Sequence, residues 1–364
     1  MYNKALQILQ IIENNGFKAY IVGGYARDLY LGRKSADVDI CTNAKPKDLK
    51  TIFKNSVISK EKYGSVTLKY KNINFEITTF RKEIKYKNNR LPVEIKYINE
   101  LKDDLLRRDF IINTLCIDKN GTLIDTLDAK KDLDNRIIRT VGVSYDKLEE
   151  DSLRILRAIR FATILNFELS DDLKESIKRN AYLLKELSYY RKKEELDKIF
   201  SNINVKYGVD LLIELDLIES LEIPNLKKAV ITSNSIGIWS QLNVVDKYVF
   251  TNNEKELIKK INEIKNNEIT NYSLYINGLY LSSIVAEIKG LNKKEIAKRY
   301  MNLDIKNLKD IVIDGNDIAS ILNIKPSKLI KEIQIDLENK ILNKELLNDR
   351  DILLSYVKEK YNNN

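Results

Sequence analysis

Apolar and polar residues alternate over short stretches in the first third of the chain, and each stretch ends in turn residues. This alternation is typical of β-strands. It predicts four strands, at 18–22, 36–41, 65–70 and 73–80. A Gly-Gly pair at 23–24 ends the first strand, and Lys71 and Asn72 form a hairpin turn between the last two. With helices predicted after the Gly-Gly pair and after Pro46, this region is a small α+β unit with a mostly antiparallel or mixed sheet.

Helical periodicity replaces the strand pattern beyond about residue 149. Apolar residues then recur three and four positions apart, which places them on one face of a helix. In the first long helix they are Ile155, Ala158, Ile159, Ala162 and Leu165. Later amphipathic helices are predicted at 254–264, 293–300 and 327–337. We therefore expect an α+β head followed by an all-helical arm.

Composition limits the chemistry that the chain performs. Its 364 residues contain no histidine, which excludes His-based acid–base catalysis, Ser–His triads and the usual zinc sites. Carboxylates and arginines remain, and carboxylate oxygens suit hard cations such as Mg²⁺. Cys41 and Cys116 form no spaced cluster, so no disulfide framework is expected. Without a secretory signal or a long apolar run, we expect a cytoplasmic protein that binds no membrane.

The net charge of +9 favours an anionic partner, of which nucleic acid is the commonest. A lysine-rich composition explains the same charge, since Lys, Asn and Ile are abundant throughout the chain. Charge alone leaves both explanations open.

Two short motifs in the head suit phosphate and metal chemistry. Gly23 and Gly24 let backbone N–H groups approach an anion, and Arg27 lies one turn into the following helix, placed to hold a phosphate. A purely structural turn is the alternative. Asp37 and Asp39 are two apart on a predicted strand and project to the same face. They form either a solvated edge strand or a Mg²⁺ site that bridges to substrate phosphates.

Further polar residues follow the hairpin. Glu76 lies on the opposite face of its strand from the neighbouring apolar residues, and is either a third catalytic carboxylate or an exposed strand residue. Arg107, Arg108 and Asp109 are predicted to open an apolar helix. They either cap that helix, or offer donors for a phosphate and an acceptor for a ribose hydroxyl.

Asp151 and Arg154 lie three apart at the predicted start of the first long helix and share a face there. Such a pair is usually an exposed ion pair of small energy. The alternative is a pair that reads the edge of a base, because a carboxylate accepts from an exocyclic amine and a guanidinium donates to ring acceptors. Cytosine and adenine both carry such an amine.

In chain order, these motifs resemble those of the class II CCA-adding enzymes and the related bacterial poly(A) polymerases. The similarity covers roughly residues 18–200. It rests on G-G-x-x-R-D with D-x-D, R-R-D, a looser segment at 128–133, E-D-x-x-R, and S-Y-Y-R-K-K-E-E-L at 188–196. The resemblance implies a polymerase-β-like nucleotidyltransferase head at 1–140, with a helical neck at 141–200. A helical body at 201–290 and a tRNA-binding tail at 291–364 would follow.

The resemblance also implies the ligands. Asp37 and Asp39 would hold two Mg²⁺ ions, Arg108 and Asp109 would contact the ribose, and Asp151 and Arg154 would select CTP and then ATP. The residues expected to bind the nucleotide are Gly23, Gly24, Arg27, Arg108, Asp109, Asp151, Arg154 and Arg157. The macromolecular partner would be the 3′ end of tRNA, and no obligate protein partner is expected.

Members of this family add the full CCA, CC only, A only or poly(A). A full-length loop at 80–92 argues against CC addition, and the absence of a long basic C-terminal extension argues against poly(A) addition. Complete CCA addition is therefore expected, with A addition as the main alternative. An inactive RNA-binding protein on the same scaffold is an alternative of another class. Loss of Asp37 or Asp39 would mark it, and both are present.

Overall fold

The computed structural model describes residues 1–35, 37–54, 64–87 and 91–362. The chain divides into two units. The first comprises Met1–Pro224 and Lys247–Val249, and the second comprises Asn225–Asp246 and Phe250–Asn364. Across the described residues, no helix combines the length and the apolarity that a bilayer crossing needs.

All described strands lie in the first unit. They are β1 (Ala19–Val22), β2 (Asp39–Thr42), β3 (Ser65–Tyr70), β4 (Ile73–Thr79), β5 (Arg81–Lys87), β6 (Leu91–Tyr97), β7 (Cys116–Ile117), β8 (Leu123–Ile124), β9 (Ile137–Ile138) and β10 (Glu168–Leu169). Six of them form one sheet in the order β3-β4-β2-β1-β7-β8. Within it β2 and β4 are parallel and all other neighbours are antiparallel, so the predicted mixed sheet is confirmed.

Helices precede, separate and follow these strands along the chain, and they continue through the rest of the first unit. They are α1 (Tyr2–Asn14), α2 (Gly24–Tyr30), α3 (Pro46–Ile52), α4 (Leu101–Leu106), α5 (Ala129–Asn135), α6 (Ser144–Glu150), α7 (Leu153–Leu165), α8 (Asp171–Asn180), α9 (Tyr189–Phe200), α10 (Val205–Glu214) and α11 (Leu217–Ser220).

The described second unit is helical. It contains α12 (Ser235–Leu242), α13 (Asn252–Ile264), α14 (Asn271–Ile288), α15 (Lys293–Met301), α16 (Gly315–Leu322), α17 (Lys328–Leu342) and α18 (Arg350–Tyr361). The three amphipathic helices predicted here correspond to α13, α15 and α17. The α+β head followed by helices is therefore confirmed.

The hairpin of β3 and β4 shows how local sequence sets the sheet. Lys71 and Asn72 both have positive φ, of 47° and 64°, as the two central residues of a type I′ turn require. This turn pairs Tyr70 with Ile73 and so fixes the register back to Ser65. Glu76 is thereby placed at a defined position on β4.

Three expectations about local structure are wrong. Residues 80–92 were expected as a loop, but β5 and β6 pair there as an antiparallel hairpin, because charged and apolar residues alternate along both segments. Arg107–Asp109 follow α4 and precede a 3₁₀ turn at Ile111–Asn113, so they do not open an α-helix. The helical region also contains a strand, β10, which pairs in parallel with β9.

Alanine at Gly208, a buried position of α10, is expected to lower the free energy of unfolding of the first unit by about 1–3 kcal/mol. The added Cβ would lie 2.4 Å from Thr163 Oγ1 and 2.6 Å from Ile199 Cγ2, so α7 and α9 would have to move. Urea unfolding measures the loss. Asp210→Ala, on the exposed side of α10, is the control and should change stability by less than about 0.5 kcal/mol. Equal midpoints for wild type and Gly208→Ala would contradict the close packing.

Candidate active site

The turn between β1 and α2 brings three parts of the head together. Gly23 precedes the first helical residue with φ 77° and ψ −139°, a conformation that strains residues other than glycine. A Cβ at this position would lie 3.6 Å from Asp39 Oδ2 and 3.9 Å from Arg108 Nη1. The predicted phosphate turn, metal carboxylate and nucleotide-binding arginine therefore meet at one place.

Two of the candidate carboxylates, Asp39 and Glu76, lie on one face of the sheet. Asp39 begins β2 and lies beside Glu76 in the parallel β2–β4 pair, so both side chains project to the same side. Asp37 precedes the strand instead of lying within it, which corrects the predicted strand start at 36, a residue outside the described part. Asp37 and Asp39 are nevertheless exposed while Val38 and Ile40 are buried, as the alternation predicted.

The electrostatics at Asp39 favour a cation. Although the Asp39 side chain keeps contact with solvent, the surrounding protein removes part of its hydration, and this desolvation raises its pKa. The Arg108 guanidinium opposes this rise, and the nearby charges of Glu76 and Asp37 add to it. Within the described part of the chain, no group of three or more carboxylate or thiol side chains forms a complete metal cluster. Mg²⁺ is commonly held by only one or two carboxylates together with substrate phosphates. The donor set therefore fits a divalent cation whose coordination the substrate completes.

Asp109 is held as a charged carboxylate. Its Oδ2 accepts from Arg157 Nε at 2.8 Å, and its Oδ1 accepts from Asn113 Nδ2 at 3.1 Å and from the Phe110 backbone N–H at 2.8 Å. Desolvation favours the neutral acid, but the Arg157 guanidinium and these hydrogen bonds hold the pKa of Asp109 well below its usual range.

Arg27 makes its contacts within the protein. Its guanidinium donates to Asp28 Oδ1 at 2.9 Å and to Asn113 Oδ1 at 2.8 Å, and lies 5.2 Å from the centre of the Phe161 ring. These contacts tie α2 to the Ile111–Asn113 turn and to α7. The phosphate contact expected of Arg27 stays a prediction.

A cleft of about 290 Å³ unites motifs that are distant in the chain. Its lining residues are Glu83, Arg107, Arg108, Asp109, Asp151, Leu153, Arg154 and Arg157. Five residues expected to bind the nucleotide, from two motifs about 40 positions apart, thus line one space. The sequence did not indicate Glu83 as a site residue, because a loop was expected in the segment that contains it.

The Asp151–Arg154 pair is built differently from the prediction. Asp151 lies between α6 and α7 rather than within a helix, and its Oδ1 accepts from the Leu153 backbone N–H at 3.1 Å. Arg154 is buried, and its guanidinium donates to the carbonyl oxygens of Lys147 at 2.8 Å and Arg107 at 3.2 Å. A break between two helices therefore places the pair in the cleft.

Comparison with known proteins agrees with this architecture along the whole chain. Residues 19–139 match the Poly A polymerase head domain, residues 166–229 match the probable RNA and SrmB-binding site of polymerase A, and residues 243–357 match the putative tRNA nucleotidyltransferase domain 2. A CCA-adding enzyme of Ligilactobacillus salivarius is 32% identical, over 98% of this chain and 96% of its own length. One of Lactococcus lactis subsp. cremoris is 33% identical, with the same coverage of both chains.

A solved structure supports the same similarity. The Bacillus stearothermophilus CCA-adding enzyme, crystallised in complex with CTP, is 27% identical to this chain. The match covers 99% of this chain and 97% of that one, with a TM-score of 0.81. The likeness therefore extends over both units.

Asp109→Asn is expected to lower the free energy of unfolding by about 3 kcal/mol at pH 7, because it leaves the Arg157 guanidinium without its partner. The pKa of Asp109 is lowered in the folded state, so its stabilisation is fully present above about pH 4 and is lost as the pH falls through the folded-state value. Urea unfolding at pH 7 and pH 3 should show a smaller difference between variant and wild type at pH 3. Asp210→Asn, at an exposed site, should show little difference at either pH. A difference that does not change with pH would contradict the charge pairing.

Proposed function

The chain belongs to the family of CCA-adding enzymes, the tRNA nucleotidyltransferases, and we propose that it adds C, C and A in turn to the 3′ end of tRNA. CTP and ATP would be the substrates and pyrophosphate the product, without a nucleic-acid template. The observation that carries this proposal is the shared cleft, in which the ribose-contact candidates Arg108 and Asp109 lie with the base-reading candidates Asp151 and Arg154. A-only, CC-only and poly(A) addition are the alternatives within the family.

Members of this family use divalent metals, and we propose Mg²⁺ for this chain. Asp37 and Asp39 would hold it, with Glu76 beside Asp39 as a third carboxylate and the substrate phosphates as further ligands. When bound, such ions lower the barrier to attack of a hydroxyl on the α-phosphate and stabilise the leaving pyrophosphate. The Gly23–Gly24 backbone would bind the phosphates at the start of α2.

Nucleotide choice would rest on a fixed pair of side chains. Two backbone carbonyls and Glu150 Oε2, at 2.7 Å, hold the Arg154 guanidinium, so its direction is set before a nucleotide enters. A carboxylate and a guanidinium together distinguish bases that carry an exocyclic amine from uracil. Asp151 and Arg154 would in this way accept both CTP and ATP.

The RNA substrate would bind through its backbone and shape, for which the net charge of +9 is suitable. We propose that the chain divides into a head at 1–140, a neck at 141–200, a body at 201–290 and a tail at 291–364. We also propose that the protein works in the cytoplasm without an obligate protein partner.

Primer extension tests the proposed reaction. Wild-type protein with Mg²⁺ is expected to add three nucleotides to a tRNA that lacks CCA, and to need CTP before ATP. Asp39→Asn should abolish incorporation while tRNA binding, measured by filter retention, stays within about twofold of wild type, because the charge acts on metal rather than RNA. Addition of a single A, and only to a tRNA ending in CC, would indicate an A-adding enzyme. No addition to either tRNA would favour the inactive RNA-binding protein.

Arg154→Ala is expected to reduce the preference for CTP over UTP by about tenfold or more, since it removes a charged donor to the base. The ratio of kcat/KM values for the two nucleotides measures this preference. Arg179→Ala, which removes an exposed arginine of α8, is the control and should leave the ratio unchanged. An unchanged ratio in Arg154→Ala would contradict its role in base selection.

A further inference from the structure

Asp104 is a completely buried carboxylate directly behind the arginines of the cleft. It belongs to α4 and does not line the cleft itself. Its Oδ1 accepts from Arg107 Nε at 2.8 Å and from the Arg81 backbone N–H at 3.1 Å, and its Oδ2 accepts from Arg108 Nη2 at 3.2 Å. A carboxylate without contact to water needs such partners to stay charged. Two guanidinium groups and one backbone N–H therefore donate hydrogen bonds to the two carboxylate oxygens of Asp104.

Arg108 is held by Asp104 on one side and faces the turn at Gly23 on the other. Asp104 binds its Nη2, while its Nη1 lies on the side of Gly23 and Asp39. Its buried Nε has no hydrogen-bond partner among the described residues. Leaving a buried donor unpaired is costly, so the contact with Asp104 has to offset this cost and hold Arg108 in the orientation in which it lines the cleft.

Asp104 also supports the base-reading side of the cleft. It binds the side chain of Arg107, whose backbone carbonyl accepts from Arg154 Nη2 at 3.2 Å. A shift of Arg107 would therefore remove one of the contacts that direct Arg154. Both the ribose side and the base side of the cleft depend on one carboxylate.

We propose that Asp104 is a positioning residue for the incoming nucleotide, which holds Arg107 and Arg108 so that the donors of Arg108 meet the sugar and phosphates. The inference rests on the proposed function, in which Arg108 and Asp109 contact the ribose. Asp104 touches neither substrate nor metal and acts only through the two arginines.

The competing explanation is that Asp104 has a purely structural role. A variant in a second Asp–Arg ion pair of the same unit distinguishes the two explanations. Asp132 is also buried and binds the guanidinium of Arg139, with Nη2 at 2.7 Å from its Oδ1. It belongs to the same unit but neither it nor Arg139 lines the cleft. Asp132→Asn therefore removes the charge of a second buried, arginine-bound aspartate, whose partner Arg139 is partly exposed, without disturbing the lining arginines.

The experiment compares wild type, Asp104→Asn and Asp132→Asn by thermal unfolding and by extension of a CCA-less tRNA with CTP or dCTP. Asp104→Asn is expected to raise the KM for CTP by about tenfold, and to reduce the preference for CTP over dCTP by a similar factor. Asp132→Asn should lower the unfolding midpoint but leave KM and this preference within about twofold of wild type.

Asp104→Glu provides a second test in case Asp104→Asn does not fold. It keeps the negative charge but moves it by one methylene, so the preference for CTP over dCTP should fall while the protein stays folded. The positioning role would be overturned if every Asp104 variant that folds kept the wild-type KM for CTP and the wild-type preference for CTP over dCTP. Failure of wild type to extend tRNA would instead overturn the proposed function.

Discussion

Charged side chains that leave bulk water must find partners, and this requirement determines how the first unit is organised. Asp104 is paired with Arg107 and Arg108, and Asp109 is paired with Arg157. Asp104 and Asp109 together thus hold three arginines that line the cleft, Arg107, Arg108 and Arg157. Asp39, by contrast, lies near two further carboxylates, Glu76 and Asp37, whose charges raise its pKa, and this arrangement suits a cation.

Helix α7 carries arginines that form contacts in several parts of the first unit. Its arginines recur every three residues, so that Arg154 lines the cleft, Arg157 binds Asp109, and Arg160 donates to Glu195 of α9 at 3.1 Å. The ring of Phe161 lies within 4.5–5.4 Å of the guanidinium carbons of Arg160 and Arg157. Cation–π contacts of this kind stabilise charges with little water around them. The cleft is thus connected to α9 by packed and paired residues of one helix.

The elements that were predicted well depend on neighbours in the chain. The turn at Lys71 and Asn72 follows from φ preferences of two residues, and the hairpin register follows from the turn. Helices such as α13 carry their own period and a capping box at Thr251 and Glu254. The segment of β5 and β6 alternates in the same way, although the resemblance to the family led to the expectation of a loop there. A local sequence pattern predicts a strand or a helix reliably when the polarity of the segment and the spacing of its apolar residues both indicate the same element.

By itself, the sequence determined the absence of histidine chemistry and the mixed sheet with helices after it, and it supplied the candidate residues of the site. It did not determine how those residues combine. Asp104 lies four positions before Arg108, a spacing that usually indicates an exposed pair on a helix. Only folding buried it beneath the cleft and turned an ordinary ion pair into a support for two arginines. The reason is that burial and partner choice depend on elements that are separate in the chain, here α4 and β5.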